Sequence, residues 1–170
     1  LVLVDVDGFK ALNDEHGHPA GDRLLQSLAL LLTGRSRASD LASRLDRKDL
    51  AARFRWDVLA LVLPETSRAG VATKAERVRA EIEGHDFRGE KLPAVTASVG
   101  VAVYPRDAST RSGLIDAAAV ALNAAKRGGR NRMIAYTPGL TISGSERGGA
   151  DDPSGRLQGL ERTITSRAFR

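Results

Sequence analysis

The stretch DVDGFKALNDEHGHPAGDRLL, residues 5–25, joins the end of one apolar segment to two helical patterns. The apolar run Leu1–Val4 comes directly before it and is typical of a buried central strand. Such a strand delivers two carboxylates, Asp5 and Asp7, at its end. The segment Phe9–His16 then has the length of two helical turns. The stretch therefore predicts acidic side chains at the edge of a sheet, next to a helix.

Outward from this stretch, the spacing of apolar residues predicts further elements. Helices are predicted from Gly21 to a stop at Gly34, over Val71–Ile82 behind a Thr66 or Ser67 cap, and over Leu114–Ala125 up to Gly128. Strands are predicted on both sides of Arg55-Trp56 within Arg53–Pro64, over Val95–Tyr104 and over Met133–Tyr136. This order indicates an α+β fold in which a mostly antiparallel sheet is backed by helices.

The bulk composition is that of an ordinary globular domain. The chain has 170 residues, of which 42% are hydrophobic and 28% charged, and its formal net charge is +5. The basic residues are scattered rather than interleaved with aromatic ones, so a nucleic-acid partner is not expected. The absence of cysteine excludes disulfides and thiolate metal sites. No segment approaches the length of a membrane span, and we expect a cytoplasmic protein.

Composition also divides the chain. Residues 1–136 carry the apolar periodicity of a folded domain, whereas residues 137–154 are rich in Gly, Ser, Pro and acidic residues and are predicted to form a flexible linker. The final stretch GRLQGLERTITSRAFR, residues 155–170, regains a helical pattern. It is predicted to begin a following domain or to form a linker helix.

Two acids invite a metal-binding interpretation. If the first strand and the strand after Arg55-Trp56 are neighbours, Asp5 and Asp57 approach each other at one edge of the sheet. Mg²⁺ bound with a phosphate substrate needs only one or two protein carboxylates. The alternative is that both are ordinary strand-end and turn acids, and spacing alone favours this alternative.

Two further pairs have both a binding and a structural interpretation. Asn13 and Asp22 together present the donors and acceptors that read a guanine edge, but each is also a common helix cap. Lys126 and Arg130 are four residues apart, which on one helical face would form a phosphate clamp. Alternatively, they are cations that stabilise the negative end of a helix dipole.

Four segments, DVDGFKALNDEHGHPAGDRLL, ARFRWDVLALVLPET, ASVGVAVYP and AAKRGGRNR, together resemble the GGDEF domain of diguanylate cyclases. The resemblance covers Leu1 to about Tyr136. It implies a central sheet flanked by helices, as in nucleotide cyclases and the ferredoxin-like palms of polymerases. It also implies conversion of two GTP to cyclic di-GMP by two facing domains, hence a homodimer or a partner domain in the same chain. The family's first helix, with its LTGLxNR-like motif, would precede Leu1.

The resemblance implies roles for individual residues. Asp5 matches the acid that binds Mg²⁺ with the triphosphate, Asp57 the second metal ligand, Asn13 and Asp22 the pair that reads guanine, Lys126 and Arg130 the phosphate-binding residues, and Phe9 and Lys10 positions near the nucleotide. All of these positions hold the residues that the family pattern requires.

The signature loop departs from the family. The sequence has Arg55-Trp56-Asp57-Val58-Leu59 where the family has Gly-Gly-Asp/Glu-Glu-Phe, and only the third position is kept. The glycines would allow positive φ and let backbone N–H groups lie against phosphate. Val58 can neither bind a metal nor transfer a proton. We therefore predict that the domain is catalytically inactive, even if Arg55 meets a phosphate in place of the lost backbone contacts.

The family's inhibitory product site, an RxxD motif, falls in register on Asp46-Arg47-Lys48-Asp49. The aspartate is kept as Asp49, but Asp46 stands at the arginine position. Arg44 and Arg47 lie close by and would compensate only weakly. Feedback binding of cyclic di-GMP is therefore not expected.

Three functions remain open from sequence. The favoured one is a degenerate GGDEF domain that binds GTP and Mg²⁺ as a regulatory input and passes this state to a neighbour. The segment LERTITSRAFR is similar to the opening helix of an EAL phosphodiesterase domain, which would be that neighbour. The alternatives are a scaffold that binds no nucleotide and uses Trp56 as a contact, and, least favoured, a weakly active cyclase.

Overall fold

A computed structural model describes residues 1–32, 50–54 and 57–140. Its strands are β1 (Val2–Val6), β2 (Leu50–Arg53), β3 (Val58–Val62), β4 (Ala97–Val101) and β5 (Met133–Ala135). Its helices are α1 (Phe9–His16), α2 (His18–Leu32), α3 (Arg68–Gly84) and α4 (Arg111–Arg127), and Phe87–Glu90 forms a short 3-10 helix that the apolar spacing did not indicate. Within the described ranges, no helix is long and apolar enough to cross a membrane.

The five strands form one sheet in the order β2-β3-β1-β4-β5. The first four pair antiparallel, and β5 pairs parallel to β4. The predicted α+β fold with a mostly antiparallel sheet is therefore confirmed. β1 lies in the centre and is buried along its whole length, as its continuous apolar run predicts.

Helices cover both faces of the sheet. Residues Val2, Val4 and Val6 of β1 belong to a large apolar cluster with α2 and α3, whereas Leu3 belongs to a second cluster with α4. Because side chains alternate along a strand, Asp5 shares the α4 face with Leu3. The central strand thus aims one acidic side chain at the layer that contains α4.

The helix α4 lies unusually close to the sheet, because β4 carries a glycine beneath it. A Cβ added to Gly100 would meet the backbone of Ala118 and Leu122 and would lie 2.7 Å from Leu122 Cβ. Small alanines line the buried side of α4 and complete this close packing. The close approach brings the end of α4, with Lys126, over the end of β1.

Several predicted boundaries differ from those observed, and two of the differences have a local reason. The helix predicted from Gly21 begins three residues earlier, at His18, because Pro19 is well placed in a first helical turn and Gly17, at φ 79°, separates it from α1. The strand predicted over Val95–Tyr104 is limited to Ala97–Val101, the residues for which β1 supplies a partner. The predicted Ser67 cap is confirmed, since its side chain accepts a hydrogen bond from Gly70 N.

The hairpin predicted around Arg55-Trp56 is confirmed, and its loop is one residue longer than this pair. Phe54 N donates to Val58 O at 2.8 Å, so three residues, 55–57, connect the strands. A three-residue loop does not require positive φ at two successive positions, and bulky residues are easier to accommodate there. Arg55 and Trp56 themselves lie outside the described residues.

Several predictions fall partly or wholly on segments outside the described residues. These are the stop at Gly34, the inhibitory-site remnant at Asp46 and Asp49, most of the linker at 137–154, and the segment 155–170. They stay predictions.

Candidate active site

The central feature of the site is a buried ion pair between β1 and α4. Lys126 Nζ lies 2.6 Å from Asp5 Oδ2, and Asp5 is only 4% exposed. Burial raises the pKa of Asp5 from its usual 3.8 to about 6, and this effect outweighs the lowering by Lys126. The charges of Asp57 and Asp7 make smaller contributions to the same rise. The site thus concentrates acidic groups around one buried carboxyl.

The predicted proximity of Asp5 and Asp57 is confirmed by the pairing of their strands. Asp5 is in register with Val58, the residue after Asp57, and Val6 N donates to Asp57 O at 3.4 Å. In the part of the chain that the structure describes, there is no cluster of three or more acidic or histidine side chains that could hold a metal alone. Two carboxylates therefore suit a cation that takes its other oxygens from water or phosphate.

Asp7, the second acid at the end of β1, has a structural role. Asp7 accepts hydrogen bonds from Thr96 Oγ1 and Ser98 Oγ, each at 2.7 Å, and from Asn131 N at 3.1 Å. It therefore ties the start of β4 and the turn after α4 to β1. Sequence reasoning assigned Asp7 no role of its own, because its partners are remote in the sequence.

Phe9 and Asn13 of α1 lie against Gly21 of α2, and we refer to this place as the cleft between α1 and α2. Asn13 Oδ1 is buried and has no hydrogen-bond partner among the described residues. A Cβ on Gly21 would overlap Asn13 Oδ1 and lie 2.8 Å from Phe9 Cζ. The absence of that side chain is what allows Asn13 and Phe9 to occupy their positions.

The interpretation of Asn13 and Asp22 as helix caps is wrong. Asn13 lies inside α1, whose N-cap is Gly8, and Asp22 lies in the second turn of α2. Both side chains are thus placed by helices without capping them. Lys10, also predicted near the nucleotide, is exposed on α1.

A cavity of about 200 Å³ lies between α2 and the β2–β3 hairpin. Its lining is mainly apolar and includes Asp22, Leu25, Arg53 and Leu59. Arg53 Nη2 lies 4.0 Å from Asp22 Oδ1. Sequence reasoning missed Arg53, although a basic residue two positions before the altered loop was an available signal.

The phosphate-clamp pair is not on one helical face as predicted. α4 ends at Arg127, and Gly129, Arg130 and Asn131 have φ values of 113°, 60° and 43°. These left-handed residues turn the chain away from the helix axis, so Arg130 lies on a turn beyond Lys126. The two cations therefore approach the site from different backbone elements.

The remaining loop positions have separate environments. Val58 begins β3 and is half-buried, packed against the cluster that includes α4. Leu59 is buried on the opposite face of the sheet, in the main core. Among the described positions of the loop, Asp57 alone carries an ionisable side chain, and it lies beside Asp5.

Comparison with known proteins identifies this arrangement. Residues 1–132 match the family described as Diguanylate cyclase, GGDEF domain. The chain belongs to the GGDEF domain family. The predicted family membership is thus confirmed, as is the cyclase-like α+β architecture of this GGDEF domain.

Individual relatives support the assignment. The chain is 33% identical to the probable diguanylate cyclase DgcE of Escherichia coli over 86% of its own length and 13% of that protein. It is 32% identical to the response regulator PleD of Caulobacter vibrioides, over 78% and 28% of the two chains. The chain thus spans only a minor part of these relatives.

Solved structures agree with the fold. The GGDEF domain of PA1120 (YfiN or TpbB) from Pseudomonas aeruginosa is 28% identical with a TM-score of 0.71, covering 80% of each chain. The GGDEF domain of DgcB from Caulobacter crescentus, solved in complex with c-di-GMP, is 32% identical with a TM-score of 0.64, covering 79% of this chain and 75% of that one.

Proposed function

We propose that this GGDEF domain binds GTP together with Mg²⁺ as a regulatory input to cyclic di-GMP signalling and does not synthesise cyclic di-GMP. The observation that carries the proposal is the buried Asn13 Oδ1, which lies against Gly21 and lacks a hydrogen-bond partner among the described residues. A buried acceptor without a partner costs about 1–3 kcal/mol. A ligand that donates a hydrogen bond to this atom removes the penalty.

Guanine fits this requirement. Its Watson–Crick edge carries N–H donors, which the Asn13 oxygen and the Asp22 carboxylate both accept. Adenine offers a different pattern on the same edge, so the pair discriminates between GTP and ATP.

The phosphate end would be held at the buried ion pair. Asp5 and Asp57 would hold Mg²⁺, and Lys126 and Arg130 would contact phosphate oxygens. When bound, the metal supplies neutralisation of the triphosphate charge. Asp5 and Lys126 are already in contact. The carboxylate of Asp5 would bind the cation, and the ammonium group of Lys126 would bind the phosphate.

The chemistry of synthesis is what the domain lacks. Val58, next to Asp57 and in register with Asp5, replaces the family's acid with a hydrocarbon. Loss of a positioned acid–base group typically lowers the rate by about 10²–10⁴-fold. Replacement of two glycines by Arg55 and Trp56 also removes the backbone freedom that lets N–H groups lie against phosphate. Binding is expected to survive these changes, because the base cleft lies on other elements.

A regulatory role requires another domain that responds to GTP binding. We propose that the responding domain is a second copy of the domain or another domain of the same chain, for which the EAL-like segment at 155–170 is the specific suggestion. We also propose that this signalling takes place in the cytoplasm, where GTP is available.

Calorimetric titration of the chain with GTP and Mg²⁺, with ATP as the competing nucleotide, tests the binding proposal. We expect GTP to bind more tightly than ATP, and Asn13→Ala or Asp22→Ala to weaken GTP binding about tenfold or more, since each removes a hydrogen bond to the base. Asp14→Ala, an exposed acid on α1, is the matched control and should bind as the unmodified chain does. Absence of binding at millimolar GTP would overturn the proposal and leave an interaction module with Trp56 as its first contact to mutate.

A further inference from the structure

The turn after α4 has a strained backbone. Arg130 and Asn131 both have positive φ, 60° and 43°, and neither is glycine. Side-chain-bearing residues adopt this region at a conformational cost, and the conformation persists only where surrounding contacts fix it. The question is which contacts fix it, since Arg130 is the residue assigned to phosphate.

Asn131 is held by both its backbone and its side chain. Its N–H donates to Asp7 Oδ2 at 3.1 Å. Its side-chain oxygen accepts from Arg79 Nη1 at 2.6 Å, and its side-chain nitrogen donates to Glu83 Oε1 at 2.6 Å. Asn131 therefore joins β1, the turn and α3, three elements that are far apart in sequence.

Arg79 is itself fixed and neutralised. Its guanidinium donates to Glu76 Oε1 and to Glu83 Oε2, each at 2.7 Å, and its side chain is only 13% exposed. With two carboxylates as partners, Arg79 is not available to bind a phosphate. Its remaining contact, with Asn131, connects this rigid group to the turn. We call Asp7, Arg79, Glu83 and Asn131 the turn brace.

We propose that Arg79 is a positioning residue that, through Asn131, holds the left-handed turn and so places Arg130 for the triphosphate. This inference rests on the proposed function, because it needs a phosphate ligand at Arg130. The brace also includes Asp7, which follows the end of β1 and lies two residues after Asp5. The hydrogen bond between Asp7 and Asn131 thereby fixes the proposed metal-binding end of β1 relative to the proposed phosphate-binding turn. The hydrogen bonds that form the brace involve neither Phe9 nor Asn13 of the base cleft.

Parallel titrations with GTP and with guanosine test the proposal. Arg79→Met should lower the affinity for GTP about tenfold, since a misplaced Arg130 loses a charge-assisted contact, and should leave guanosine affinity unchanged. Arg77→Met removes an exposed arginine from the same helix and should change neither. A general loss of structure would instead weaken both ligands.

A double-substitution cycle shows whether Arg79 acts through Arg130. Arg79→Met introduced into an Arg130→Met chain should produce no further loss of GTP affinity, whereas independent losses would overturn the proposal. Asn131→Gly removes the side-chain contacts and keeps access to positive φ, and it should weaken GTP alone by a smaller factor. If Arg79→Met does not fold, Asn131→Gly decides, and unchanged GTP affinity overturns the brace.

The proposed GTP binding and the proposed role of Arg79 can be overturned separately. If the unmodified chain binds neither GTP nor guanosine, the proposed function is overturned and the positioning role with it. If the unmodified chain binds GTP and folded Arg79→Met binds it equally well, only the positioning role is overturned.

Discussion

The base cleft and the signature hairpin of this GGDEF domain differ in what they have kept. In the cleft between α1 and α2, the residues of the family pattern are present and their geometry leaves a buried acceptor ready for a ligand. In the hairpin between β2 and β3, the strands and their pairing are present, but the residues that perform the family's chemistry have changed. A fold can thus be retained where the residues of its signature loop are not.

The physical reason lies in what each region needs. The hairpin is held by strand pairing and by Leu59 in the core, neither of which depends on the glycines of the loop. The cleft depends on Gly21, where one additional carbon would overlap Asn13. Packing therefore preserves the hairpin without preserving its chemistry, whereas the cleft persists only with its specific residues.

The largest effect is expected when the cleft is closed. Gly21→Ala places a Cβ against Asn13 Oδ1 and Phe9 Cζ, and should weaken GTP binding by about 100-fold. Overpacking of this kind also lowers the free energy of unfolding by about 1–3 kcal/mol. Calorimetry and denaturant unfolding measure the two effects. Gly84→Ala is the control, because its added carbon meets no atom within 4 Å, and it should change neither GTP affinity nor stability. If Gly21→Ala binds GTP with unchanged affinity, the base binds elsewhere.

A second effect, on the free energy of unfolding, is expected at the end of β1, because the pKa of Asp5 is raised. The folded state holds the Asp5 proton up to a pKa of about 6, and the unfolded state releases it near 3.8. The folded state therefore binds more protons between these values, and the contribution of Asp5 to stability falls as the pH rises from about 4 to about 6. The full change is at most about 3 kcal/mol.

Asp5→Asn removes this titration. The free energy of unfolding of the variant, relative to the unmodified chain, should rise across this pH window and level off above it. Denaturant unfolding in metal-free buffer at pH 4, 5, 6 and 7 provides the comparison. Parallel profiles of the two proteins would show that Asp5 has an ordinary pKa and that burial does not raise it.

The sequence predicted what depends on local pattern. The continuous apolar run of β1, the helical spacing of α3 with its Ser67 cap, and the hairpin around residues 55–57 all follow from nearby residues. The placement of Asp5 beside Asp57 required only that their strands be neighbours. These features could be predicted because hydrophobic periodicity and turn position are encoded over a few residues.

Features that depend on distant contacts could not be predicted. Arg130 lies on a turn beyond α4, and the next residue, Asn131, contacts Asp7 and Arg79, neither of which is near it in sequence. Gly21 is locally a poor helix residue, and its purpose is evident only from Asn13 on the preceding helix. The length of the loop could not be predicted, because Arg55-Trp56 does not reveal which residues close the hairpin.

The assay for synthesis needs a positive control from the same chain. Restoring the family loop by Arg55→Gly, Trp56→Gly and Val58→Glu supplies the missing acid and the backbone freedom. Val62→Glu, which adds an acid at an exposed position of the same strand, is the matched control for the added charge.

The most direct test of the central claim measures GTP binding and cyclic di-GMP formation in one sample of the unmodified chain. The chain is titrated with GTP and Mg²⁺ and then incubated at a saturating concentration, and the product is quantified by chromatography. We predict saturable, GTP-selective binding with no cyclic di-GMP above the protein-free blank. Formation of cyclic di-GMP by the unmodified chain, abolished by Asp5→Asn, would contradict the account, because it would show that the altered loop still supports the reaction.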